Sequence, residues 1–242
     1  MSAGSADGFT WNADAGGRAL AVEARPEAAA AIFGPRLDLA DRFVTHLATT
    51  AVEWGLIGPR ELPRLWSRHV LNCAVLAEVI PTGSSVLDVG SGAGLPGMAL
   101  AIVRPDLEVT LVEPLERRAM WLSATVADLG LGCAVRRARA EDLAGTASSP
   151  VVTARAVAEL GRLARWTVPL VAPGGVLLAI KGRRAADELQ RSVTTLRRLG
   201  AVRWDVVECG EGLLEVPTTV VRVWAPDRPP ARRRDRRGAA RG

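Results

Sequence analysis

The 242-residue chain lacks several features on which whole classes of protein depend. It has no run approaching the roughly 18 to 20 uninterrupted apolar residues of a membrane span. Its first residues have neither a basic start nor an apolar segment, so no secretory signal is expected. The three cysteines, Cys73, Cys133 and Cys209, stand far apart without C-x-x-C spacing, which argues against a disulfide framework and a zinc site. We therefore expect a cytoplasmic protein with no structural metal and no membrane association.

Tyrosine is also absent, and Lys181 is the only lysine among the 31 lysine and arginine residues. A GC-rich genome accounts for such an excess of arginine codons. Because that bias would readily have replaced a lysine by arginine, Lys181 is a candidate for a specific role.

The net charge of +5 is confined to the C-terminus. Residues 227–242 contain seven arginines and two aspartates, so the charges of the other 226 residues sum to zero. This tail has too few apolar residues to offset the entropy of ordering it, and we predict that it is disordered. It is either a solvated extension or a nonspecific tether to RNA or the ribosome, because clustered arginines bind phosphates without sequence preference.

The pattern of apolar residues divides the rest of the chain into three parts. Residues 1–25 are rich in Ala, Gly and Ser and are predicted to be poorly ordered. In residues 26–80 apolar positions recur at spacings of three and four, which indicates helices. The clearest examples are Ala40, Phe43, Leu47 and Ala51, and then Leu62, Leu65, His69, Cys73 and Leu76. We expect this helical portion to pack on the domain formed by residues 81–226.

Seven short apolar segments after Pro81 are predicted strands. They are 85–89, 108–113, 133–138, 150–155, 175–181, 202–208 and 218–225. Helical patterns lie between most of them, at 95–103, 115–129, 159–171 and 184–199. Helices of this length imply crossover connections and a largely parallel sheet, whereas the last two strands should form an antiparallel hairpin. The sequence thus predicts a doubly wound α/β fold.

A glycine-rich loop, VLDVGSGAGLPG at residues 86–97, follows the first predicted strand of this sheet. In doubly wound sheets ligands bind beyond the carboxyl ends of the strands, and the first strand-to-helix turn lies at that place. The second strand ends in Glu113, whose carboxylate could accept hydrogen bonds from two ribose hydroxyls. Loop and carboxylate together indicate an adenosine-containing ligand.

A dinucleotide and S-adenosylmethionine both contain adenosine, and three local features favour the second. Asp88 stands at the end of the first strand, the glycines have G-x-G-x-G spacing, and the acidic segment ARAEDL at 138–143 follows the third strand. A dehydrogenase would need a residue at the hydride-transfer position. His46 and His69 both precede the sheet and there is no tyrosine, so we predict a methyltransferase.

The segment after the fourth strand narrows the choice of methylated atom. It reads TARAVAEL and lacks the Asn/Asp-Pro-Pro-aromatic motif of exocyclic-amine methylases. No cysteine directly follows the fourth or the fifth strand, where it could act as the nucleophile that pyrimidine carbon-5 methylation requires. An acceptor with an available lone pair remains, such as guanine N7, although many small molecules would also fit.

Several segments resemble one known family. LWSRHVLN, VLDVGSGAGLPGMALAIVRPDLEVTLVE, RAEDL, VVTARAVAEL and LLAIKG are similar to the bacterial 16S ribosomal RNA guanine-N7 methyltransferases, also called glucose-inhibited division protein B. The similarity runs from about Leu39 to Gly182 and more weakly to about Trp224. It implies a class I S-adenosylmethionine-dependent methyltransferase fold. It also implies methylation of guanine 527 in the 530 loop of 16S rRNA, in the small ribosomal subunit or an assembly intermediate.

The resemblance also implies functional residues. The family's cofactor contacts correspond to Gly90, Leu95, Glu113, Ala140, Glu141 and Arg155, and its substrate-positioning residues to Arg68, His69 and Lys181. Arg155 could bind either the methionine carboxylate of the cofactor or an RNA phosphate, and no general base is required.

Two departures from the family are Asn72, where many members have Asp, and Cys73, where many have Ser. The alternatives left open are a small-molecule methyltransferase and a non-catalytic S-adenosylmethionine-binding module that docks on RNA.

Overall fold

The computed structural model describes residues 10–11, 20–155 and 157–227, in which a helical region precedes a large sheet and the helices that cover it. The strands are β1 (Thr10–Trp11), β2 (Leu20–Ala21), β3 (Ser85–Val89), β4 (Glu108–Val112), β5 (Ala134–Arg136), β6 (Ser149–Arg155), β7 (Val171–Ile180), β8 (Arg203–Cys209) and β9 (Thr218–Trp224). The α-helices are α1 (Ala28–Phe33), α2 (Leu37–Ala48), α3 (Thr50–Glu53), α4 (Asn72–Ala74), α5 (Gly97–Val103), α6 (Glu116–Leu129), α7 (Ala140–Leu143), α8 (Leu160–Thr167) and α9 (Ala185–Arg198).

The large sheet has seven strands in the order β5-β4-β3-β6-β7-β9-β8. The first five pair in parallel, and β9 is antiparallel to both of its neighbours. From β3 the chain builds outward through β4 and β5, and it then returns to add β6 on the other side. Strand order therefore reverses between β3 and β6, which is where such sheets bind ligands. The predicted α/β fold, with about seven strands and a terminal antiparallel hairpin, is confirmed.

The central strands are apolar because helices cover both faces of the sheet. In β3 every residue except Ser85 is buried, and β6 is nearly as enclosed. One hydrophobic cluster joins the sheet to the N-terminal helices, α5 and α6, and a second joins the opposite face to α7, α8 and α9.

Helix α5 shows why the N-terminal region belongs to the same core. Its residues from Gly97 to Ile102 are all buried, although a helix that covers one face of a sheet normally exposes a polar stripe. The N-terminal helices α1, α2 and α4 contact its outer side. The helical region is thus a further layer on α5.

The predicted helical region is present, but residues 59–79 are less regular than their apolar spacing suggests. They form a 3-10 segment (Pro59–Arg64), a π-helical segment (Leu65–Leu71), α4 and a second 3-10 segment (Val75–Val79). Pro63 lies inside the first of these segments and lacks the N–H that a regular helix needs there. The predicted apolar side is nevertheless buried at Leu62, Leu65, Cys73 and Leu76.

The strand boundaries differ from the predicted ones by up to four residues. The largest difference is at β7, which begins at Val171 instead of 175, because an irregularity shifts its register with β6 between Ser149 and Val151. Disorder was predicted for residues 1–25 and 227–242. Most of these residues lie outside the described part of the chain, and the exceptions are 10–11, 20–25 and Asp227. Within that part, no helix is both long and apolar enough to span a membrane.

Replacing Phe43 by Ala tests whether the helical layer and the sheet unfold together. Phe43 of α2 is fully buried in the cluster shared with α5 and α6, so its removal should cost about 3–5 kcal/mol of unfolding free energy. Urea unfolding followed by tryptophan fluorescence and circular dichroism should show one transition at a lower midpoint. The control is Val202→Ala, because that side chain is 63% exposed. Two separate transitions would contradict a shared core.

Candidate functional site

The glycine loop connects β3 to α5 at the point where strand order reverses. Gly90, Gly92 and Gly94 have φ values of 73°, 55° and 81°, which L side chains rarely adopt. The N–H groups of Gly90 and Ser91 donate to the carbonyl of Val112 at 2.8 and 3.1 Å. The loop is therefore fixed across the carboxyl ends of β3 and β4.

Asp88, in strand β3, fixes the end of this loop at Gly97, where α5 begins. Its carboxylate is fully buried and accepts hydrogen bonds from the Gly97 N–H at 3.1 Å and from the Thr153 hydroxyl at 2.9 Å. Burial raises the pKa of this carboxyl from 3.8 to about 6, against the effect of these donors. A Cβ on Gly97 would lie 2.8 Å from Asp88 Oδ2 and would also meet Leu111. Glycine is thus required where α5 begins.

Glu113 holds the middle of the loop. Its side chain is buried, and Oε2 accepts from the Gly92 N–H at 3.1 Å while Oε1 accepts from the Leu115 N–H at 3.0 Å. A carboxylate has about four acceptor positions, so each oxygen keeps one for a further donor. Glu113 therefore organises the loop and retains acceptor capacity for two hydroxyls.

The other predicted cofactor contacts lie at adjoining strand ends. Leu95 is buried within the loop, and Ala140 and Glu141 begin α7 just after β5, with Ala140 buried and Glu141 exposed. The Glu113 N–H donates to the Arg136 carbonyl at 3.2 Å, which joins the ends of β4 and β5. The predicted contacts from Gly90 to Glu141 thus follow three neighbouring parallel strands.

Arg155 is the last residue of β6, the strand that pairs with β3 on the side opposite to β4. Its guanidinium contacts the N-terminal region. Nη1 donates to the His69 carbonyl at 3.2 Å and to Cys73 Sγ at 3.1 Å. Nη2 contacts the Arg68 carbonyl at 3.4 Å and His69 Nδ1 at 2.5 Å. Arg155 therefore links the sheet to the segment Arg68–Cys73.

The predicted pair Arg68 and His69 lies in this cluster, although the two side chains differ in exposure. The His69 side chain is 12% exposed, and its Nε2 is 2.7 Å from Glu61 Oε2. The Arg68 side chain is 60% exposed, with Nε 4.0 Å from the same oxygen. The structure thus brings Arg68, His69 and Arg155 together, and Glu61 is the carboxylate shared by Arg68 and His69.

Lys181 lies in a different cluster. Its ammonium donates to the Ala158 carbonyl at 2.6 Å and pairs with Glu188 at 2.9 Å, and its side chain is only 8% exposed. Glu188 also accepts from the Leu160 N–H at 3.0 Å. The predicted substrate-positioning role of Lys181 would require the ammonium to leave these partners. In this structure Lys181 instead fixes the loop between β6 and α8 to α9.

Three partners of these residues were missed from the sequence: Glu61, Thr153 and Glu188. Each is an ordinary polar residue whose function depends on a partner at least seven positions away. Glu61 and Glu188 carried a local signal, because Arg64 and Arg191 follow them at a spacing of three, which permits an ion pair on a helical turn.

A cavity of about 400 Å³ lies at the opposite end of the sheet. Its lining includes Ser84, Val151, Gly174 and Trp224, which are near the amino ends of β3, β6 and β7 and the last residue of antiparallel β9. This is the wrong end for ligand binding in a doubly wound sheet, and the glycine loop is not part of it.

Replacing Gly97 by Ala tests the close packing under the loop. The added methyl group would displace Asp88 or Leu111, so we expect a loss of about 1–3 kcal/mol of unfolding free energy in urea titrations. Gly132→Ala is the matched control, since a methyl group added there would have no atom within 4 Å. Equal unfolding midpoints for the two variants would contradict the packing described here.

Comparisons with known proteins agree with this geometry. The family model GidB, described as rRNA small subunit methyltransferase G, matches residues 36–216. The ribosomal RNA small subunit methyltransferase G of Arthrobacter sp. (strain FB24) is 60% identical over 198 residues, covering 81% of this chain and 92% of that relative. The protein of the same name from Rhodococcus jostii (strain RHA1) is 54% identical over 212 residues, covering 86% and 92%.

Among solved structures, a SAM-dependent O-methyltransferase from Thermotoga maritima is similar in fold, with a TM-score of 0.50, 15% identity and 66% of each chain covered. The fold is that of the class I S-adenosylmethionine-dependent methyltransferases, and the predicted cofactor agrees with it. By the family match and by these relatives, the chain belongs to the rRNA small subunit methyltransferase G family.

Proposed function

We propose that this protein transfers a methyl group from S-adenosylmethionine to N7 of guanine 527 in 16S rRNA. The observation that carries the proposal is the family match over residues 36–216, which includes every residue predicted to contact cofactor or substrate. The names of the relatives support ribosomal RNA of the small subunit as the substrate. The N7 atom and the position in the RNA rest on the resemblance described above.

The residues at the carboxyl end of the sheet fit this cofactor. Glu113 keeps acceptor capacity for the ribose hydroxyls. The positive φ values at Gly90, Gly92 and Gly94 favour glycine, which leaves the loop backbone open to a ligand. We assign the adenine to the surroundings of Ala140 and Glu141, and the methionine carboxylate to Arg155. When bound, S-adenosylmethionine supplies an electrophilic methyl group on a sulfonium.

The site chemistry favours an acceptor that needs no deprotonation. The carboxylate of Asp88 is fully buried, where it accepts from Gly97 and Thr153 and is out of reach of a substrate, and both ring nitrogens of His69 have partners. Neither group is free to take a proton from a substrate hydroxyl. Neutral guanine already has a lone pair at N7, so the protein needs only to align that atom and exclude water.

Because neither Asp88 nor His69 can serve as the base, the described site weighs against the small-molecule alternative in its commonest form, transfer to a hydroxyl, which benefits from a general base. A non-catalytic module that binds S-adenosylmethionine and docks on RNA would use the same loop. The two candidates are separated by product formation, because only an enzyme leaves methylated RNA.

Glu113→Ala tests the assignment of the ribose. Hydrogen bonds to a charged group contribute about 1.5–3 kcal/mol, so the dissociation constant for S-adenosylmethionine should rise roughly 10- to 100-fold. Isothermal titration calorimetry measures this change, and circular dichroism checks the fold. Glu116→Ala is the control, since that nearby carboxylate is 64% exposed and pairs with Arg137. An unchanged dissociation constant for Glu113→Ala would mean that the adenosine binds elsewhere.

The product itself tests the reaction. Small subunits and free 16S rRNA that lack the modification should acquire 7-methylguanine at one position, identified by nuclease digestion and mass spectrometry. The rate should be nearly constant from about pH 6.5 to 8.5, because no proton is removed in the step. Methyl label on cytosine, on an exocyclic amine or on a small metabolite alone would refute the proposal.

A further inference from the structure

The guanidinium of Arg155 uses most of its hydrogen-bond donors on the N-terminal region. Of its five N–H groups, four have acceptors at hand: two backbone carbonyls, Cys73 Sγ and His69 Nδ1. The fifth, Nε–H, has no hydrogen-bond partner among the described residues. Arg155 therefore keeps its charge and one donor for an anion, while its orientation is set by the segment Arg68–Cys73.

The hydrogen bonds of His69 fix its protonation state. Arginine can only donate, so His69 Nδ1 must accept from Arg155 Nη2 through its lone pair. The proton of the neutral ring is then on Nε2, which donates to Glu61 Oε2 at 2.7 Å. A second proton on Nδ1 would place an N–H against an N–H of the guanidinium. Only the neutral ring is compatible with the observed position of Arg155.

The charged and titratable groups around His69 agree with a neutral ring. Burial lowers the pKa of His69 below its ordinary value of 6.5, and the positive charge of Arg155 lowers it further, with a smaller effect from Arg68. Glu61 opposes them by raising the pKa of His69. Arg64, together with His69, holds the pKa of Glu61 near 2, so this carboxylate stays charged. Burial raises the pKa of the Cys73 thiol, which therefore stays neutral.

We infer that neutral His69 is a positioning residue for cofactor binding: its Nδ1 holds the Arg155 guanidinium where Nε–H and the charge meet the cofactor carboxylate. Protonation of His69 turns this acceptor into a donor and releases Arg155. The inference rests on the proposed contact between Arg155 and the methionine carboxylate, and it adds a dependence on the N-terminal region.

The sign of the pH dependence follows from the preferred protonation state. Cofactor binds the form with neutral His69, so affinity is constant above the ordinary histidine range and falls as the pH drops through the lowered pKa of His69. By linkage, saturating cofactor must lower that pKa further. A tenfold difference in affinity between the two protonation states corresponds to a shift of about one pKa unit.

The test uses the fact that the chain has only two histidines. His46 lies on α2 and pairs with Asp128, away from Arg155, so His46→Gln leaves one imidazole to observe. In this variant the ring proton resonances of His69 are titrated by NMR without cofactor and with saturating S-adenosylhomocysteine or S-adenosylmethionine. We expect a downward shift of about one unit when cofactor is bound. An unchanged pKa would overturn the inference.

Calorimetry of S-adenosylmethionine binding between pH 8 and pH 5 supplies the second readout. The protein and His46→Gln should lose about tenfold in affinity on acidification, the effect of one lost hydrogen bond to a charged group. His69→Gln should bind equally at all these pH values, because an amide can accept from Arg155 and donate to Glu61 without titrating. His69→Ala should bind about tenfold more weakly at every pH.

Two results would overturn the inference in this experiment. One is an acid loss in His69→Gln as large as in the unaltered protein, which would assign the titration to Asp88, whose pKa is about 6. The other is unchanged affinity in folded His69→Ala. These measurements need no RNA, so they separate this inference from the proposed reaction. If cofactor binding behaves as expected and no 7-methylguanine forms, the proposed reaction alone fails.

Discussion

The candidate site depends on two buried carboxylates that hold one glycine loop. Asp88 accepts the N–H at the start of α5, and Glu113 accepts the N–H groups of Gly92 and Leu115. Backbone N–H groups without a helix or sheet partner need such acceptors when they are buried. The loop can therefore keep three left-handed glycines and an open backbone at the reversal of strand order. Removing Asp88 would leave the Gly97 N–H without its acceptor, and removing Glu113 would do the same to the Gly92 N–H.

Local pattern predicted much of the fold and the part of the site that lies on consecutive elements. Strand β3 was predicted with its observed bounds, and the glycine loop and Glu113 fell at strand ends because parallel strands fix where their carboxyl ends meet. The irregular segment 59–79 was predicted only as helix, since apolar spacing reports the buried side and not the hydrogen-bond register. The burial of Lys181 was not predicted either, because its partner Glu188 comes from a helix whose placement depends on tertiary packing.

The N-terminal layer contributes more than burial of α5. Through Glu61, His69 and the carbonyls of Arg68 and His69 it determines how Arg155 is oriented at the end of β6. Irregular helical turns expose carbonyls that a regular helix would use internally, and π-type segments are frequent at functional sites. RNA that contacts exposed Arg68 would act on the same cluster that orients Arg155. Binding of the RNA and binding of the cofactor would then affect each other through Arg68, His69 and Arg155.

The most direct test of this site is a crystal structure of the protein with S-adenosylmethionine or S-adenosylhomocysteine. We predict both ribose hydroxyls within about 2.6–3.2 Å of the Glu113 carboxylate, the adenine beside Ala140 and Glu141, and the methionine carboxylate against Arg155. Ligand found instead in the cavity lined by Val151 and Trp224, at the amino ends of the parallel strands, would contradict the assignment.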